Sequence, residues 1–288
     1  MKRNYRDQRH TASSAGFTLI ELLISLLILT IVSGIIFQRI STIVQRSQAE
    51  ATKIDLTSES REFLDTFIRD LHTAGYPKGV MYAISSLPTP AIDSNLVSAG
   101  IVEATPTSIL FEGDVNGEGN VYSVWYYYVD SDPNDPNCPC IRRDAAPKLP
   151  AGGGVGSPAP LYQPKSPKVT EVQYVVSPGT AAGKSGEDLF TYCDRTGTQI
   201  FPAGSCSVIS DPPAPAGACW DISTQVGRDS IDSIRTVKVN LTVRSKGLQV
   251  DPSNKLPLVV SMTATGKINN GCLNNPGNPA NGCATSGL

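Results

Sequence analysis

Histidine is nearly absent from this 288-residue chain: His10 lies in a basic N-terminal segment, His72 in a helical pattern, and none follows. A Ser or Cys nucleophile beyond residue 72 therefore has no imidazole base. A Cys/His zinc site lacks half of its usual ligands. There is no G-x-S-x-G, no H-E-x-x-H and no glycine-rich phosphate loop. Adjacent acids such as Glu187 and Asp188 read as solvated loop charges, so no catalysis is expected. Charge is sparse and balanced, with 24 Lys and Arg against 26 Asp and Glu and a formal net charge of -2. No basic stripe with interleaved aromatics is present, and a nucleic-acid interface is not expected.

What the chain does have is one long apolar run, residues 17–37, interrupted only by Ser, Thr, Gly and a single acid, Glu21. At ~1.5 Å per residue such a run reaches across a bilayer core of ~30 Å. A carboxylate inside a span costs roughly 2.5–3.5 kcal/mol on insertion scales, which makes Glu21 a functional candidate. Lys2, Arg3, Arg6 and Arg9 precede the span against Asp7 alone, so the N-terminus is expected to stay cytoplasmic. A secretory signal would end in a small-residue cleavage site after the apolar run. Here Gln38, Arg39, Ile40 and Ser41 offer none, and the small residues Ser13, Ser14, Ala15 and Gly16 lie before it. Cutting there removes four basic residues and one acid, taking the net charge from -2 to -5, and leaves the span in place.

Gly16-Phe17-Thr18-Leu19-Ile20-Glu21-Leu22-Leu23 resembles the class III signal of type IV prepilins and type II secretion pseudopilins. The resemblance implies that a prepilin peptidase cuts between Gly16 and Phe17 and N-methylates Phe17. It also implies that Glu21, fifth in the mature chain, serves assembly by pairing with a neighbour's N-terminal amine. Many pilins carry a kinking proline where this chain has Gln38, so any bend is expected at Gly34. Residues 69–76, Arg-Asp-Leu-His-Thr-Ala-Gly-Tyr, resemble the helix end of PilW-type minor pilins. The strand order is similar to theirs and to that of J-type pseudopilins.

Past the span, Ile40, Ile43, Val44, Ala51, Ile54, Leu64, Phe67, Ile68 and Leu71 recur at helical spacing. Gly75 and Pro77 then mark a stop. Strands are predicted at residues 107–111, 121–129, 169–176, 234–244 and 258–268, with a loop at 145–167. In residues 234–244, Val237, Val239, Leu241 and Val243 alternate with polar residues, the pattern of a half-buried strand. The expected fold class is α+β and pilin-like: a long N-terminal helix packed on an antiparallel sheet. Its parts are a leader (1–16), a membrane half (17–37), an amphipathic half (38–75) and one β-rich head (76–288). The 25 Gly and 22 Pro fit a loop-rich head.

All seven cysteines lie beyond the span, where an oxidising compartment favours disulfides. The odd count leaves one unpaired or pairing with another molecule. Cys272 and Cys283 bracket a turn-rich loop and form the first expected pair; a second is expected among Cys193, Cys206 and Cys219. Cys138-Pro139-Cys140 reads as two structural cysteines with different partners rather than as a metal or redox pair. Asp114, Asn116 and Glu118 place oxygens at alternate positions, as in calcium loops, although Trp125 stands where the twelfth-position acid belongs. A tight hairpin turn is the competing reading.

The family likeness implies a structural subunit: a minor pilin that helps start a type IV pilus at or near its tip. A minor pseudopilin of a type II secretion system is the alternative, and an adhesive or DNA-capturing tip subunit a second. Implied partners are prepilin peptidase, other minor and major pilins, and the inner membrane before assembly, with the head in the periplasm and later on the cell surface. In the secretion systems the extreme tip subunit lacks the acid, so Glu21 argues for a place just below it.

Overall fold

The computed structural model describes residues 18–77, 95–148, 168–176, 178, 188–204, 218–222, 225–246 and 255–268. Helix α1, Leu19–Thr73, is one unbroken helix of 55 residues and continues through Gly34. At ~1.5 Å per residue it is roughly 80 Å long. Its N-terminal part is long and apolar enough to cross a membrane, and none of that stretch is buried. Only the last third meets the head. Leu56, Ser60, Phe63, Leu64, Phe67, Asp70 and Leu71 are buried, whereas Ile40, Ile43, Val44 and Ile54 are exposed.

Above the helix end sit two antiparallel sheets. The larger contains β1 (Ile101–Ala104), β2 (Ser108–Gly113), β3 (Tyr122–Val129), β4 (Cys140–Pro147), β5 (Val169–Val172) and β8 (Trp220–Asp221), in the order β5-β4-β3-β2-β1-β8. The smaller contains β6 (Phe190–Cys193), β7 (Gln199–Ile200), β9 (Thr236–Arg244) and β10 (Val259–Lys267), in the order β10-β9-β6-β7. A short helix α2, Gln225–Ile231, stands between β8 and β9 in the chain. This is an α+β, type IV pilin-like arrangement, with a long apolar N-terminal helix packed on antiparallel sheets.

Phe67 joins the layers. It meets Tyr126 of the larger sheet edge-on at 5.1 Å and Phe190 of the smaller sheet at 5.4 Å between ring centroids. β3 is buried on both faces, which explains its continuous aromatic run: Tyr126 faces the helix, while Trp125 stacks on Tyr127 at 3.9 Å on the opposite face. β9 keeps the expected alternation, with Val237, Val239, Leu241 and Val243 buried. β10 crosses α1 closely enough that a Cβ on Gly266 would stand 2.7 Å from Leu71 Cδ2 and 2.9 Å from Ile68 Cδ1, so a larger residue there would displace the ends of both side chains. The sheets are tied where Val175 bridges Val243 and the Val176 amide donates to the Thr242 carbonyl at 2.7 Å, and again where the Phe190 amide of β6 donates to the Pro106 carbonyl between β1 and β2 at 3.0 Å.

Two buried polar clusters pin the helix end. Asp70 Oδ2 accepts the Tyr126 hydroxyl at 2.7 Å, Arg143 Nε at 2.9 Å and Arg143 Nη2 at 2.9 Å. Tyr126 and Arg143 are register partners on β3 and β4, so the carboxylate addresses two strands at once. Burial, with the Asp70 charge beside it, pushes the Tyr126 phenol well above its usual range. Farther along, Gly75 adopts φ 81° just past the helix end, the left-handed turn that glycine permits, and its amide donates to the Glu112 carbonyl at 2.9 Å. The Glu112 side chain pairs with Lys148 Nζ at 2.6 Å, and the ammonium also donates to the Val97 carbonyl at 2.8 Å. Burial raises the Glu112 carboxyl even against the pull of Lys148.

The structure corrects the start of the predicted loop at 145–167, because β4 runs through Ala145 and Ala146 to Pro147; residues 149–167 lie outside the described residues. It adds β1, β4, β6, β7, β8 and α2, none of which carried a clear period. Asp70→Ala removes the acceptor of a buried cation and is expected to cost about 3 kcal/mol of stability. The exposed Asp65→Ala is expected to stay within about 0.5 kcal/mol. Urea unfolding followed by tryptophan fluorescence measures both, and equal midpoints would refute the role given to Asp70.

Candidate functional site

The structure places Glu21 in the first turn of α1 and gives it a local partner. Thr18 is the N-cap, in extended backbone conformation, and its hydroxyl oxygen accepts the Glu21 amide at 3.3 Å. The Glu21 carboxylate reaches back to accept the Thr18 amide at 3.3 Å and the Thr18 hydroxyl at 3.2 Å. This reciprocal capping box satisfies two of the four amides that every helix start leaves open. The Thr-x-x-Glu spacing of Thr18 and Glu21 is its sequence signal, and the reading of Glu21 as an assembly acid alone overlooked it. Gly16 and Phe17 lie outside the described residues.

The box holds the acid at the mouth of the helix, where the positive end of the helix dipole favours a negative group. All of its bonds are exposed. The carboxylate is therefore both parked and accessible. Behind it, Leu19, Leu22, Leu23, Leu26, Ile31, Ile35 and Phe37 are exposed apolar side chains on a helix too long for the head to cover.

The Asp114 loop connects β2 to β3. Asp114 is buried, and its two carboxylate oxygens accept separate amides, Glu118 at 3.1 Å and Gly119 at 2.9 Å. The Asn116 side-chain oxygen accepts the Glu118 amide at 3.2 Å, and its nitrogen donates to Glu118 Oε2 at 2.7 Å and to the Tyr122 hydroxyl at 3.3 Å. Asp114, Asn116 and Glu118 do come together, but their oxygens are engaged in closing the hairpin. Asp114 ties the turn to its own backbone, which is the arrangement of a tight hairpin.

The cysteines depart from expectation at one point. Cys138 and Cys140 are bonded to each other rather than to different partners. β4 begins at Cys140, and the chain turns at Pro139 so that both sulfurs lie on one side. A bridge around three residues restrains the unfolded chain by only about 1.6 kcal/mol in the loop-entropy model, so it is a weak staple. Asp135 brings a carboxylate oxygen within 4.8 Å of both sulfurs, but sulfurs joined in a disulfide are not thiolate ligands. Cys193 carries a free thiol, and Cys219 is disulfide-bonded to a cysteine outside the described residues. Cys206, Cys272 and Cys283 lie outside the described residues.

Comparison with known proteins gives a family match at the N-terminus. The model described as the prokaryotic N-terminal methylation motif matches residues 11–37, spanning Gly16, Phe17 and Glu21. No curated protein and no solved structure matches the chain significantly. The matched motif, the apolar helix that follows it and the α+β arrangement together support a type IV pilin-like or pseudopilin protein.

Proposed function

We propose that this chain is a minor pilin of a type IV pilus, of the PilW type, that takes part in starting fibre assembly and sits just below the tip. The observation that carries this reading is the methylation motif running directly into a helix whose first turn holds an accessible acid. The cationic leader stays cytoplasmic, residues 17–37 cross the inner membrane once, and the head stands in the periplasm until assembly carries it to the cell surface. Prepilin peptidase cuts between Gly16 and Phe17 and N-methylates Phe17. Other minor and major pilins then pack along the exposed apolar face of α1.

Glu21 supplies the driving interaction. A free amine and a carboxylate are each costly in hydrocarbon, and pairing offsets both penalties. Within a lone subunit, Thr18 holds the carboxylate through long, exposed hydrogen bonds. The charged amine of a neighbouring subunit is a stronger partner than a neutral hydroxyl and amide, so it displaces them. The acid is thereby kept hydrogen-bonded before assembly and transferred during it. A type II secretion pseudopilin shares the motif and the helix, and a tip adhesin or DNA-capture subunit would add a ligand to the pilus reading.

Mass spectrometry of the mature protein is expected to find N-methyl-Phe17 at the N-terminus. Gly16→Leu is expected to leave uncut precursor in the inner membrane. A mature N-terminus beyond residue 37 would overturn the processing.

Glu21→Ala is expected to be cut and inserted normally, yet to reduce fibre number and co-purification with the other minor pilins. Lost protein secretion with unchanged fibre number would move the chain to the pseudopilins. No change in either would refute the assembly role.

A further inference from the structure

The Cys138–Cys140 bridge encloses a single residue, so it contributes little by shortening the unfolded chain. Its surroundings point to another use. Cys140 is fully buried, while Cys138 is half-buried at the end of the loop before β4. Arg142 Nη2 stands 3.9 Å from Cys138 Sγ. Two carboxylates fix that guanidinium, Asp132 at 2.7 Å and Asp135 at 3.3 Å. The loop also lies on the seam between the sheets. The Pro139 carbonyl accepts the Val175 amide at 2.8 Å, the Asn137 carbonyl accepts the Tyr174 amide at 3.3 Å, and Val175 bridges to Val243 on β9.

We propose that Cys138–Cys140 is a thiol-exchange site for a dithiol reductant, with Cys138 as the sulfur that is attacked and Arg142 as the positioning residue that stabilises its thiolate. One thiolate of the reductant attacks Cys138 Sγ, the more accessible sulfur. The Cys138–Cys140 bond breaks, and Cys140 leaves as a thiolate and takes up a proton. The second thiol of the reductant loses its proton and attacks the reductant's own sulfur in the mixed disulfide. Cys138 is then expelled as a thiolate beside Arg142. The Cys138 thiolate then takes up the second proton, so that two electrons and two protons pass to the pair, and the reductant ends as its own disulfide.

The charges around Cys138 set the rate. In the first step Cys140 is the leaving sulfur, and Arg142 acts there by attracting the incoming thiolate to Cys138; in the second step Cys138 leaves, and a cation within ~4–6 Å favours its thiolate and speeds its departure. Asp135 opposes this, since its carboxylate lies within 4.8 Å of both sulfurs. Arg142 neutralises that carboxylate as well as facing the sulfur, so removing it acts twice. Opening the bridge removes the covalent tie beside the Asn137 and Pro139 carbonyls, which accept from Tyr174 and Val175, the segment that reaches across to β9. The site is thus an entry point for reduction at an inter-sheet clasp.

The full chain in detergent micelles, treated with limiting dithiothreitol and quenched with a maleimide at intervals, tests this by peptide mass mapping. Cys193, already free, labels at time zero and serves as the internal reference. Cys138 and Cys140 are expected to become labelled about tenfold faster than Cys219. Arg142→Gln is expected to slow their opening about fivefold, and Arg142→Lys to restore most of the rate. Simultaneous or earlier opening of the Cys219 bridge in the wild-type chain would overturn the proposal, as would an unchanged rate in Arg142→Gln. Should Arg142→Gln misfold, both bridges would open faster, and the wild-type rate ratio alone would decide.

Discussion

A carboxylate on the buried face of a helix has to find its countercharge in whatever the helix packs against, and Asp70 makes that demand here. Three donors from two adjacent strands converge on one of its oxygens. Apolar contacts around it, through Phe63, Phe67 and Leu71, supply most of the burial but are indifferent to direction. A charge-assisted hydrogen bond is directional. The hydrophobic face therefore makes the helix adhere to the sheets, and Asp70 sets its rotation and height upon them. Rotating α1 by one residue would leave Arg143 without its carboxylate and bury Asp70 against nothing that can pair with it.

The same division of labour recurs where the chain leaves the helix. Gly75 donates to β2, Glu112 of β2 holds Lys148 at the end of β4, and Lys148 returns to the Val97 carbonyl. Polar groups are thus buried at junctions between elements, and aromatic and β-branched side chains fill the layers between them. The seam at 174–176 joins the two sheets through backbone hydrogen bonds, with Lys246 Nζ standing over the Tyr174 ring at 5.4 Å.

Much of this was legible in the sequence wherever one periodicity dominated. The long helix, its stop at Gly75, and strands β2, β3, β9 and β10 follow from 3.6- and 2-residue patterns and from turn residues. β4 did not read as a strand because Arg142 and Arg143 look solvated until Asp70, Asp132 and Asp135 supply partners from elsewhere in the chain. β1 and β8 are too short to show a period. At the N-terminus, Glu21 stands out as a lone acid in an apolar run, and its bond to Thr18 is carried by a separate signal, the Thr-x-x-Glu spacing. The Cys138–Cys140 pairing is hidden because the spacing of two cysteines does not reveal the turn between them.

The point at which burial begins on α1 has a mechanical consequence. Between the end of the apolar run and Leu56, the first buried residue, about 18 residues of helix stand clear of the head, a rise of about 27 Å. The head is thus carried on a single helix about 10 Å across. Helices of that width pack side by side more closely than the heads they carry, so copies joined through their helices need heads that are offset along the axis or splayed away from it.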